Sequence, residues 1–227
     1  MEHLISAELS DSRVRAFFTG KVPGIDRERV SDLASVPRDL IYMPIQQHTD
    51  KVIVLDSDLD PKIGDAVVTK RDGILIGIQS ADCVPILVSG KTPCRGIGAI
   101  HAGWRGTAAG ILKTTIRAMG EKFLIDPADL VLAIGPCIRW CCYEVGSEVV
   151  AAVKRASGEG AYVMEKGEKY HLDLVSATIA QALQAGVPEA NISVHGECTF
   201  CHPDRYYSYR FAKGPTGRQA GFIGILS

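Results

Sequence analysis

The chain reads as short apolar runs separated by turn residues, with helical periodicity confined to its second half. Residues 41–45 (IYMPI) and 51–55 (KVIVL) are strand-like and flank QQHTD. DAVVT, GILIGI, VPILV and GIGAI follow as four further strand-like runs, parted by turn residues such as RDG and SGKTP. From Ala108, apolar residues recur at Ile111, Leu112, Ile116 and Met119, one face of a helix with Thr107 as its cap. DLVLAIG predicts a strand. SEVVAAVKRAS and DLVSATIAQALQAG predict amphipathic helices, the second starting at Asp173 and closed by Gly186. ISVHGE and QAGFIGIL predict the last strands. Strands and helices do not alternate, so a doubly wound sheet is not expected. The pattern predicts an α+β fold, one domain over residues 1–227 with mixed β-sheets packed together and flanked by helices.

Composition narrows the function. A chain of 227 residues, 46% hydrophobic, builds a core without disulfide staples. The net charge of −1 with mixed signs offers no basic footprint for nucleic acid or a membrane surface. The N-terminus lacks a basic start and long apolar run, and ILIGIQSADCVPILV is broken by Asp82 and Pro85. These features predict a cytoplasmic protein acting on small molecules, with its seven cysteines reduced.

Three strand-like runs are each followed closely by a reactive side chain: His48 in PIQQHTDKV, Asp82 and Cys83 in IGIQSADCVPIL, and His101 in GIGAIHAGWRG. Two histidines and a cysteine suit a transition metal with one position open. The other reading, which spacing alone does not displace, is a buried thiol and two hydrogen-bonded histidines. Separations of 35 and 18 residues require assembly by the fold. Arg105, in the glycine-flanked turn HAGWRG, offers a donor fork for an anion or a surface arginine at a helix start. Tyr206, Tyr207 and Tyr209 suit stacking on a planar ring or internal packing, and Arg210 and Arg218 suit an anion or surface pairing. C-T-F-C-H (198–202) has the spacing of a c-type haem attachment site, but haem attachment normally needs export. Cys137, Cys141 and Cys142 are assigned to no site, since adjacent cysteines do not readily chelate one tetrahedral metal.

Taken in order, QQHTDKV, DAVVTKRDGILIGIQSADCVPIL, GAIHAGWRGTAAGIL, AIGPCIRWCCYEVG and the late CT…YYSYR…TGR resemble the YfiH-like laccase-domain family, also called multicopper polyphenol oxidoreductases. The resemblance runs from about Gln46 to the C-terminus; the earlier AFFTGKVPGIDRERV departs from it and lacks the family's Asn-Arg pair. It implies a fold similar to a bacterial toxin's Cys/His hydrolase domain. It implies a zinc-dependent purine nucleoside phosphorylase acting on adenosine, inosine and methylthioadenosine, with adenosine deamination as a further activity. It places the metal on His48, Cys83 and His101, with nucleoside and phosphate as partners. Arg105, Tyr207 and Arg210 are then the substrate-binding candidates, and Asp82 a proton shuttle or a support for its neighbour Cys83. The alternatives are a copper polyphenol oxidase, a metal-free hydrolase with Cys83 as nucleophile and His101 as base, and a non-catalytic binding protein. Against the oxidase, the six histidines include no His-x-His pair, and one copper cannot reduce oxygen by four electrons. Cys201 and His202 lie outside the family pattern, so replacing them is expected to leave the metal in place.

Overall fold

The computed structural model describes residues 4–7, 9, 12–91, 93, 96–167 and 169–226. Two large sheets stack face to face. One has six strands in the order Ile192–Val194, Leu130–Ile134, Val84–Gly90, Ile97–Ala102, Ala66–Thr69, Val52–Val54. The other has five, in the order Leu4–Ser6, Val14–Thr19, Gln219–Ile225, Leu75–Ser80, Ile41–Tyr42. Both are mixed: Ile41–Tyr42 joins Leu75–Ser80 in parallel, and Gln219–Ile225 joins it antiparallel.

Strand alternation explains the layers. Successive side chains point to opposite faces, so Val67, Leu87, Ala99 and Ala133 face the five-stranded sheet, meeting Phe18, Ile76, Ile78 and Ile223. Ala66, Ile86, Ile100 and Ile134 face the other way. There they are covered by Ile111, Leu112, Ile116 and Met119 of the helix Ile111–Phe123 and by apolar residues of Ser147–Ser157 and Leu174–Gln184. Because both faces are buried, strands such as Val84–Gly90 are buried at every position and read as unbroken apolar runs.

The expected helix from Ala108 is two helices, Trp104–Ala109 and Ile111–Phe123, broken at Gly110 with φ 79°. Gly103 rather than Thr107 caps the first, and Thr107 lies inside it. Asp173 caps Leu174–Gln184 by accepting from Val175 N–H, and Gly186 follows with φ 95°. Several elements escape the hydrophobic pattern. Val14–Thr19 is a short strand beside a polar lead. Arg27–Ala34, capped by Asp26, buries only Val30 and Ala34 and covers the outer face of the five-stranded sheet. Val163–Lys166 and Lys169–Leu172 form a largely polar hairpin.

Candidate active site

One buried carboxylate organises the centre. Asp65 precedes the strand Ala66–Thr69 and has no exposed surface. It accepts from the backbone N–H groups of Gln47, His48 and Thr49 at 3.2, 2.9 and 2.7 Å and from the Thr49 hydroxyl at 2.8 Å. These bonds hold the turn carrying His48, whose own φ is 58°, a left-handed conformation that costs on the order of 1 kcal/mol. Asp65 Oδ1 also accepts from His101 Nδ1 at 2.9 Å. Burial opposes its ionisation, but His101 and the Thr49 and Gln47 donors outweigh it and hold the carboxyl well below the usual range. The ionised acceptor fixes a proton on His101 Nδ1, so Nε2 is the nitrogen that a metal would take once its own proton leaves.

Cys83 ends the connection from Leu75–Ser80 to Val84–Gly90, and the antiparallel register pairing Pro85 with His101 brings it alongside. The His48 and His101 rings meet edge-on at 4.9 Å, and His48 Nε2 lies 3.9 Å from Cys83 Sγ. The ligand atoms of all three lie within 4.8 Å of one another. Metal bonds of about 2.0–2.3 Å set tetrahedral ligand atoms roughly 3.3–3.8 Å apart, so the trio fits a metal after a small contraction. Glycine is required at 103: a Cβ there would sit 2.9 Å from Cys83 Sγ and 3.1 Å from His48 Cδ2. Burial pushes the Cys83 thiol up, but His101 and His48 bring it down to about 6. Burial likewise lowers His101, but the Cys83 thiolate and Asp65 raise it to about 9. Between those two values the metal-free pair is a thiolate and an imidazolium.

The trio opens into a cavity of about 530 Å³, the size of a small-molecule site. Arg105, Arg210 and Arg218 line it, with the rings of Trp104, Tyr143 and Tyr209. Arg105 stacks on Trp104 at 4.4 Å, and Arg210 lies over Tyr143 at 5.2 Å. Tyr207 does not line it. Ser208 between Tyr207 and Tyr209 is extended (φ −133°), so the two rings point apart, and Tyr207 lies beneath Lys21 instead. Asp82 borders the cavity, but its carboxylate is committed: Oδ1 accepts from the Thr199 hydroxyl at 2.6 Å and Oδ2 from Arg210 N–H at 2.8 Å. That geometry suits a support, not a proton shuttle.

Asp65 and Tyr143 were not among the residues expected from the sequence, whereas Tyr209 and Arg218, named there as candidates for ring stacking and anion binding, do line the cavity. Metal-bound histidines need a carboxylate or carbonyl on their second nitrogen, but Asp65, next to Gly64 at the start of its strand, reads as a turn residue in the sequence.

The family model described as multi-copper polyphenol oxidoreductase laccase matches residues 25–226. The chain belongs to this laccase-domain family. Purine nucleoside phosphorylase of Aquifex aeolicus is 38% identical over 168 residues, 74% of this chain and 75% of the relative. Adenosine deaminase RL5, from an unknown prokaryotic organism, is 37% identical over 205 residues, 84% of this chain and 76% of the relative. The crystal structure of YlmD from Geobacillus stearothermophilus superposes with a TM-score of 0.89 at 29% identity, covering 95% of this chain and 93% of that one. The expected α+β laccase-domain fold is therefore present. As a laccase-domain protein with relatives named for nucleoside chemistry, the chain is an enzyme of nucleoside metabolism with a candidate metal centre.

Proposed function

We propose that this protein is a zinc-dependent purine nucleoside phosphorylase. The observation carrying the proposal is the juxtaposition of a His48–Cys83–His101 donor set with three arginines and three aromatic rings around one cavity. The arginines provide forks for a phosphate dianion. Trp104, Tyr143 and Tyr209 provide faces for a purine. Zinc bound to the trio supplies a Lewis acid and lowers the pKa of a bound water or anion.

The protein's own residues do the rest. Arg105, Arg210 and Arg218 neutralise and aim the phosphate at C1′ of the ribose while the C1′–N9 bond breaks. The departing purine takes up the proton that hydrogen phosphate gives up on forming its bond to C1′, and ribose 1-phosphate is left. Asp65 holds His101 as a donor of Nε2, and Asp82 fixes Arg210 through its backbone N–H. Adenosine, inosine and methylthioadenosine share the purine and the ribose bond and are the proposed substrates.

Adenosine deamination is a second reading, favoured by the relative bearing that name. Copper oxidation of phenols lacks the histidine pairs a multicopper cluster needs. Metal occupancy would suppress a Cys83 hydrolase, because the same thiolate would be a ligand. Incubating metal-loaded protein with adenosine, with and without phosphate, separates the first two. Adenine and ribose 1-phosphate formed only with phosphate support the proposal. Inosine and ammonia formed equally without phosphate, with no adenine, would overturn it.

A further inference from the structure

Four cysteines gather outside the cavity. Cys141 and Cys142 sit in the turn after Ile138–Trp140, and Cys198 and Cys201 in the turn leading toward Tyr206. The two turns are tied through Thr199 N–H, which donates to Cys137 O at 3.0 Å. All four sulfurs lie within 4.8 Å of one another, with Cys141 to Cys201 at 3.8 Å and Cys142 to Cys201 at 3.3 Å. A metal–sulfur bond of about 2.3 Å gives a regular tetrahedron with edges of roughly 3.8 Å. A disulfide needs two sulfurs; four at these distances match a tetrathiolate shell.

A second feature points the same way. The Cys198 sulfur accepts from the backbone N–H of Arg139 at 3.4 Å. That bond ties the turn of Cys198 and Cys201 to the chain that leads into Cys141 and Cys142. Adjacent cysteines were not expected to share a metal. The turn makes it feasible here, because Arg139 O accepts from both Cys142 and Tyr143 N–H groups and curls the chain back on itself. His202 turns away and meets Arg205 at 2.7 Å.

We propose that Cys141, Cys142, Cys198 and Cys201 bind a second, structural zinc ion, held as a tetrathiolate with four protons released from the thiols. The ion clamps the turns that carry Tyr143, at the cavity wall, and Thr199, which holds Asp82. This site is independent of what His48, Cys83 and His101 hold. It revises the expectation that Cys201 has no bearing on bound metal.

The test is metal content and cobalt spectra of reduced protein, purified without chelator and then loaded with Co²⁺. Cys83→Ser should keep one zinc per chain and show a thiolate-to-cobalt charge-transfer band of four-sulfur strength. Cys141→Ser/Cys201→Ser should lose that band while retaining metal at the histidine site. Folded, reduced Cys83→Ser protein with no zinc and no such band would overturn the proposal. So would a Cys142–Cys201 disulfide that persists in freshly purified protein from reducing cells. If the double variant unfolds, the Cys83→Ser measurement decides alone.

Discussion

Asp65→Asn tests the organising role of the buried carboxylate. The side chain keeps its shape but loses one acceptor and the charge. If the amide oxygen retains the Gln47 and Thr49 donors that now bind Oδ2, the amide NH₂ faces His101 Nδ1–H and His48 N–H. Two charge-assisted bonds are lost, each contributing about 1.5 kcal/mol or more, so the metal-free protein should lose roughly 3 kcal/mol. His101 can relieve the clash by giving up its Nδ1 proton and keeping the one on Nε2, but that nitrogen then offers no lone pair to metal. Loss of such a partner weakens metal affinity by about 10–100-fold, or roughly 1.4–2.7 kcal/mol. Urea unfolding of metal-free protein reads the first effect. Competition with a chromophoric chelator reads the second, in the Cys141→Ser/Cys201→Ser background so that only the histidine site is counted. A folded Asp65→Asn protein with affinity within threefold of its parent would refute the reasoning.

Gly103→Ala drives a methyl against Cys83 Sγ and His48 Cδ2 and should cut metal affinity at least as much as Asp65→Asn, by the same competition assay. With Cys83 brought down to about 6 and His101 raised to about 9, metal binding between those values displaces one proton, from His101. Apparent affinity should therefore rise about tenfold per pH unit from 6 to 9 and level off above; calorimetry in buffers of different ionisation enthalpy counts the proton, and a flat profile contradicts the assignment. Arg210→Ala should raise the phosphate KM by roughly 10–100-fold, the worth of one or two charge-assisted bonds, and kinetics at saturating nucleoside measures it. Leu87→Ala opens a hole between the two sheets and should cost about 2–5 kcal/mol in urea unfolding.

Much of the frame is legible in the residues. Runs such as VPILV and GIGAI are strands buried on both faces, and Ile111, Leu112, Ile116 and Met119 do lie on one helix face. His48, Cys83 and His101 were readable as reactive groups following apolar runs, although only the fold supplies their meeting. What was not legible depends on long-range pairing. Asp65 looks like a turn residue until the strand Ala66–Thr69 pairs with Ile97–Ala102 and carries it beneath His101. Tyr207 and Tyr209 are indistinguishable in YYSYR until the extended Ser208 separates their directions. The cysteine quartet joins residues 56 or more positions apart and appears only when the turns at 137–143 and 198–201 dock.

The most direct test of the central claim is inosine turnover with phosphate, measured alongside metal content, for the parent and for His101→Ala. The account predicts hypoxanthine release that requires phosphate and scales with metal at the histidine site, and a variant lacking both. Undiminished phosphorolysis by His101→Ala with that site free of metal would contradict it.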